Sequence, residues 1–365
     1  MGQSSSLYPL KFEPIYKEKV WGGRSLERLG RPLPGGADTL IGESWELADL
    51  GQTSASGGGG GSERSVIANG HLAGATLHDV MTERGSDLMG GLEPNNFGEF
   101  PLLLKFLDAR ENLSVQVHPS PEYAATHPDA FLKSEAWYIV DAEPGAVIYK
   151  GVKEGTSEAQ FRDAIARNDV EPLLLKVPVQ AGDCHYLPSG TCHALGAGVV
   201  VAEVQTPSDT TFRVYDWGRT GRELHLDQAM RCIHFGPPEA DRYERRSRIV
   251  GQGTTLTHLV RCEHFRIDRI DAQVDHFQSL AYDQPAVWMV VRGHGIINPE
   301  NAERVAKSAS IGKADQASQS VPEVELGPLE TIYIPPATPP MHVRFDEPTT
   351  WLEITFPQAE PTRIA

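Results

Sequence analysis

The chain has 365 residues, 40% of them hydrophobic and 22% charged, with a formal net charge of −16. That length suggests about two domains, and the acidic balance disfavours nucleic acid or an anionic membrane as the main partner. No run of about 18 apolar residues occurs, so no membrane span is expected, and four cysteines without a C-x-x-C pair fit a reduced, cytoplasmic protein with neither a disulfide scaffold nor a thiolate metal site.

The first segment, MGQSSSLYPLKFEP, lacks the apolar core of a signal peptide. Short β-branched and aromatic runs then dominate: KFEPIYKEKVWGG, FPLLLKFLDA, LSVQVHP, AWYIV, GAVIYKG, DCHYLPSG, GVVVAEVQ and TTFRVYDW all read as strands. Residues 54–65 (SASGGGGGSERS) read as a flexible surface loop without chemistry. Helical periodicity is confined to residues 74–90 and 156–176, the second with Thr156 or Ser157 as N-cap. A second strand series runs over 255–300 and 320–355, interrupted by a small-residue insertion at 301–320. Many short strands with few helices predict an all-β protein of barrels with short helical insertions.

The two strand series look like decayed copies of one unit about 150 residues apart. EAWYIVDAEPGAVI leading to GDCHYLPSGTCHA is matched by AVWMVVRGHGIIN leading to LETIYIPPATPPMHV. The boundary is expected at 236–250, which is rich in Pro and charge. This gives a first domain at 1–240 and a second at 241–365.

The chemistry gathers in the first copy. In LSVQVHPS, period-two alternation places Leu113, Val115 and Val117 on one face and Ser114, Gln116 and His118 on the other. In GDCHYLPSGTCH, Gly182 opens a strand, Pro188 and Gly190 make a bend, and His193 enters the next strand. Glu135 heads the strand that follows KS. Two imidazoles, a carboxylate and an amide form a mixed donor set suited to a zinc-type Lewis acid with open positions. Taken singly, each of these residues also reads as a hydrogen-bonded interior polar group. In the second copy, Leu329 replaces Gly182, Ala337 replaces Gly190, Pro340 falls where His193 stands and Ala286 where Glu135 stands. One metal site is therefore expected, in the first copy, with a structural second copy in which His294 is a turn residue.

The Gly-x5-Pro-x-Gly-x2-His pattern resembles the second signature motif of the cupin barrels. WGG, IGESWELAD, FPLLLKFLDA, LSVQVHP, KSEAWY, PSGTCHALGAG and QTPSDTTFRVYDWGR, in that order, resemble the bacterial short-form class I mannose-6-phosphate isomerases. The resemblance covers about residues 8–235, and the C-terminal third only by pattern. It implies two cupin-type β-barrels, one zinc ion per chain held by Gln116, His118, Glu135 and His193, and interconversion of mannose 6-phosphate and fructose 6-phosphate through an enediol or enediolate. Arg213 and Glu203 match its active-site residues, and Lys105 and Lys133 match basic residues that line its pocket; Arg213, Lys133 and Glu203 are read as catalytic, Lys105 as substrate-binding, and Ser114, on the same face as Gln116, as a donor to the phosphate. Arg213 is read as stabilising a developing oxyanion, because a guanidinium is a poor base. The proton-removing group stays open among Lys133, Glu203 and water on the metal. The expected partner is a small phosphosugar, the assembly a monomer or homodimer, and the pocket mouth a basic patch on an acidic surface. Two other readings are a non-catalytic phosphosugar-binding bicupin and a metal-dependent bicupin oxygenase. The Q-x-H in place of H-x-H suits Lewis-acid work better than redox work.

Overall fold

The computed structural model describes residues 6–54, 61–236, 247–251, 253–274, 277–280, 282–299 and 321–357. Residues 55–60 of the expected glycine loop at 54–65, most of the domain boundary and the whole 301–320 insertion lie outside these residues. The described chain is β-rich with few helices, and the strand pairs are antiparallel.

The chain divides into two compact units, and neither is continuous: one is 1–13, 66–93 and 245–365, the other 14–65 and 94–244. The expected single cut at 240/241 lies close to the last crossing, but the chain also crosses three times earlier. The reason is local pairing. Leu10–Lys11 adds to the strand Thr331–Ile334, and Tyr333 Oη donates to the Leu88 carbonyl at 2.7 Å. KFEPIYKEKVWGG, which read as one strand, is thus two strands, Leu10–Lys11 and Ile15–Gly23, serving different units.

In the unit that ends at 365, a seven-stranded sheet and a four-stranded sheet enclose Trp288, Trp351, Phe345, Ile270 and Ile297. Thr76 caps the helix Leu77–Met89 through a reciprocal pair with Asp79, and Gly90 ends it in a left-handed conformation that glycine takes without strain.

The other unit carries the candidate site. Its six-stranded sheet runs in the order Cys184–Leu187, Glu135–Ala142, Val199–Gln205, Leu103–Ala109, Ile15–Gly23, Ile41–Leu47. Its five-stranded sheet runs Leu174–Pro178, Val147–Val152, His193–Leu195, Val115–Val117, Phe212–Tyr215. Ile148 and Leu195 of the second sheet pack with Leu107, Trp137, Ile139 and Val201 of the first, so the inner faces meet. On the outer face, Val115, Val117 and Phe212 pack with Phe161 and Ala164 of the helix Glu158–Ala166 and with Met230 of the helix Leu226–Cys232. The apolar side of LSVQVHPS therefore faces outward, under helices. The strand is shorter than its alternation implied: only Val115–Val117 is extended in the sheet, and Leu113 turns inward to the opposite cluster.

The expected helix over 156–176 is also shorter. Ser157 caps Glu158–Ala166 in a box with Gln160, but Asn168 adopts a φ of +59° and Pro172 follows. The apolar residues that continued the helical pattern instead form the strand Leu174–Pro178, paired with Val147–Val152.

Candidate active site and metal centre

Strand register brings the candidate residues together. Across the six-stranded sheet, Trp45, Lys105, Glu203 and Trp137 are successive partners. Across the five-stranded sheet, Lys150, His193, Gln116 and Arg213 are successive partners. Directly paired residues share a face, and the rings of Trp137 and His193 meet edge-on at 5.3 Å between centroids, so the two rows look at each other.

His118, Glu135 and His193 form a buried group whose ligand-type atoms all lie within 4.8 Å of one another, an arrangement that could hold a metal ion. His118 Nε2 is 3.3 Å from Glu135 Oε2, and His193 Nε2 is 3.1 Å from Glu135 Oε1. Each histidine faces a carbonyl through Nδ1: Thr210 O at 2.9 Å for His118, and Thr191 O at 2.8 Å for His193. A carbonyl only accepts, so Nδ1 carries the proton and Nε2 presents a lone pair. Burial and then the Lys133 charge push His118 down to about 3, which keeps the ring neutral. Lone pairs on two nitrogens thus face a carboxylate that is itself acceptor-only. His118 Nε2 and Glu135 Oε1 are buried without a hydrogen-bond partner among the described residues, and Glu135 Oε2 faces the Lys133 ammonium. The bare His118 Nε2 and Glu135 Oε1 are costly unless a cation bridges them, so these residues fit a metal. Gln116 Nε2 lies 3.3 Å from His193 Nε2. A half-turn of this amide would bring Oε1 to the same place.

Lys133 Nζ lies 2.9 Å from Glu135 Oε2. Burial works to raise Glu135, but the charges of Lys133, His118 and His193 hold it well below the usual carboxylate range. Lys105 sits 3.5 Å from Glu203, 3.7 Å from Glu43 and 4.8 Å from the centre of the Trp45 ring. Trp137 Nε1 donates to Glu203 Oε1 at 3.0 Å. Burial, then the nearby Glu135 charge, push Glu203 upward. Arg213 Nε donates to Ser114 Oγ at 3.3 Å, and its Nη1 to the Glu223 carbonyl at 2.9 Å.

One cleft receives Lys105, Ser114, Gln116, Lys133, Glu203 and Arg213; it encloses about 680 Å³, open space at its mouth included. Its other lining residues include Lys19, Glu43, Trp45, Trp137, Asp209 and Arg222. Five cations (Lys19, Lys105, Lys133, Arg213, Arg222) outnumber three anions (Glu43, Glu203, Asp209) in that lining, against −16 for the chain. The lining of the cleft thus carries more cations than anions in a chain that is acidic overall. Glu43, Trp45 and Trp137 were missed as single residues. Glu43 and Trp45 lie two apart in IGESWEL, so their alternation already placed them on one face.

An interior His–Glu–His group that could hold a metal ion, beside a cation-lined cleft on a β-rich scaffold, defines the class of protein in which a metal site adjoins a pocket suited to an anion. Comparison with known proteins narrows this class. Residues 10–147 match the family model described as phosphomannose isomerase type I, catalytic domain. The chain is 38% identical over 296 residues to the mannose-6-phosphate isomerase ManA of Bacillus subtilis, covering 79% of this chain and 86% of that protein. It is 39% identical over 236 residues to the mannose-6-phosphate isomerase of Streptococcus mutans, covering 63% of this chain and 69% of that one. The crystal structure of the Bacillus subtilis mannose 6-phosphate isomerase superposes with a TM-score of 0.78 at 29% identity, over 96% of this chain and all of that one. The chain belongs to the type I phosphomannose isomerases. No helix among the described residues is long and apolar enough to cross a membrane.

Proposed function

We propose that this protein interconverts mannose 6-phosphate and fructose 6-phosphate through an enediol or enediolate, with one zinc ion held by His118, Glu135, His193 and Gln116. The observation that carries this reading is the buried convergence of His118 Nε2, His193 Nε2 and the Glu135 carboxylate, with His118 Nε2 and Glu135 Oε1 left without a hydrogen-bond partner. Nitrogen and oxygen donors around an open cleft suit zinc acting as a Lewis acid on sugar oxygens.

The chain's own groups divide the remaining work. Arg213 is held by a hydroxyl and a carbonyl. With Ser114 it offers a cationic, hydrogen-bonding corner for an anion, either the substrate phosphate or a developing oxyanion. Glu203 is a buried carboxyl pushed upward, which suits it to carry a proton between adjacent carbons. Burial opposes the charge on Lys133, but Glu135 and Glu203 outweigh it and raise its pKa, so Lys133 acts as a fixed cation more readily than as a base. Lys105 completes the basic wall opposite Arg213.

We read the two units as cupin-type barrels, only the first of which holds a metal. Trp288 and Glu353 pair across strands and hydrogen-bond at 3.1 Å, as Trp137 and Glu203 do. Aligned on these pairs, Ala286 stands at the place of Glu135 and Asp268 at that of Lys105. The described donor groups include no second His/Cys/Asp/Glu metal cluster. The four cysteines are free, which agrees with a cytoplasmic setting.

The test is bound-metal analysis together with fructose 6-phosphate formation from mannose 6-phosphate, before and after chelation. One zinc per chain with chelator-sensitive, zinc-restorable turnover is expected. Zinc without turnover would favour a sugar-binding module, and metal-dependent oxygen uptake would favour an oxygenase.

A further inference from the structure

Lys133 and Glu135 meet, yet the strand that carries Glu135 begins at Glu135 itself. Phe131–Ser134 belongs to no helix or strand, so the pleat does not place Lys133. Hydroxyl groups of the segment QTPSDTT do. Thr210 Oγ1 accepts from Phe131 N at 3.0 Å. Ser208 Oγ donates to the Phe131 carbonyl at 3.0 Å and accepts from Thr210 N at 3.1 Å. Thr206 Oγ1 accepts from Ser134 N at 3.2 Å and donates to the Leu132 carbonyl at 3.1 Å, while its own N–H donates to the Ser134 carbonyl at 3.0 Å. From the far side, Ser189 Oγ donates to the Lys133 carbonyl at 2.7 Å. Ser208 and Thr210 are fully buried and Thr206 nearly so, so their hydroxyls depend on these bonds for partners.

The same segment reaches the metal group from the other direction, because the Thr210 carbonyl holds His118 Nδ1. One residue therefore anchors the loop bearing Lys133 through its side chain and orients His118 through its main chain. We propose that Thr210 is a positioning residue: its hydroxyl locks the Phe131–Ser134 loop to the Gln205–Thr211 segment and so sets His118, Lys133 and Glu135 against one another. Removing the hydroxyl leaves the part-buried Phe131 N–H without its partner, which loosens the contact between the two segments. That loosening shifts the Thr210 carbonyl and turns the His118 ring. A partner beyond the ligands themselves typically changes metal affinity about 10- to 100-fold when lost.

The inference rests on the metal reading above, and its test separates the two. Zinc affinity is measured by chelator competition, and kcat and KM by isomerase assay, for wild type, Thr210→Val and Thr210→Ser, with circular dichroism and Tm as folding controls. Thr210→Val, folded, is expected to bind zinc about 10-fold or more weakly and to lose kcat more than KM. Thr210→Ser is expected to restore both, which a purely volume-filling role would not require. Wild-type zinc affinity and kcat in folded Thr210→Val would overturn the proposal alone. Absence of zinc binding in wild type would overturn the metal reading and this one with it. Should Thr210→Val fail to fold, Ser208→Ala decides. It keeps the Thr210 hydroxyl and removes its support, so several-fold weaker zinc binding is expected and unchanged binding overturns the inference.

Discussion

His118 does two jobs with two nitrogens: Nδ1 is spent on the Thr210 carbonyl, and Nε2 is left bare toward Glu135. His118→Ala removes a ligand and leaves Glu135 with its Lys133 ion pair. Bound zinc is therefore expected to fall far below one per chain and turnover by at least 100-fold, with little loss of fold; elemental analysis and assay check it. His118 was read from the alternation of a short strand, and His193 from the Gly-Pro-Gly-His spacing, because both are local signals. Glu43 was not, because its character comes from partners distant in sequence. Burial alone would raise its carboxyl, but Lys105 and Lys19 outweigh burial and draw it down to about 2, from an ordinary 4.5. A folded-state value below the unfolded one adds stability that is fully present above pH 4.5 and is lost as the pH falls toward about 2. Its size is on the order of 3 kcal/mol. The stability gap between wild type and Glu43→Gln is expected to be widest near pH 6 and to close by pH 2. Urea unfolding across that range measures it, and a gap independent of pH would show that Glu43 is not held charged.

At the scale of elements, turns decide where donors land. Gly182 and Gly190 have φ of +94° and +88°, the left-handed region the sequence pattern called for. A Cβ on Gly190 would also stand 3.0 Å from the Cys232 carbonyl. Gly190→Ala is expected to cost about 1–2 kcal/mol in backbone strain and to displace the strand His193–Leu195 that it feeds. Unfolding midpoints and zinc affinity should fall together; a loss of stability with unchanged zinc affinity would mean that the bend does not position His193. Elements misjudged from sequence share one cause. LLLK continued a helical period, but Asn168 broke the helix and the strand Val147–Val152 offered a paired edge. Lys133 stands two residues before Glu135, but no strand reaches it, and hydroxyl bonds from residues 206–210 hold its loop. Tertiary pairing overrides local periodicity where the period is short, and side-chain-to-backbone bonds leave almost no periodic trace at all.

Over the whole molecule, the spacing of the strands suggested two units, whereas nothing in it showed that segments 1–13 and 66–93 belong with 245–365. Nothing in YPLKFEP distinguishes a strand that stays from one that crosses at Pro14. The division nonetheless has a measurable consequence. All proposed zinc ligands belong to the unit 14–65 and 94–244. A ligand that binds only the folded state stabilises it by about 2.7 kcal/mol at 100 times Kd, which slows exchange through the corresponding opening by about 100-fold. Zinc is therefore expected to slow amide hydrogen exchange in the strands Val115–Val117, Glu135–Ala142 and His193–Leu195. The strands Ala286–Arg292 and Thr349–Thr355, around the Trp288–Trp351 core, are expected to stay near their zinc-free rates. Equal slowing in both sets would mean that the units open as one cooperative body, so that metal binding in the first sets the stability of the second. Slowing in neither would return His118, Glu135 and His193 to a buried polar group without a metal.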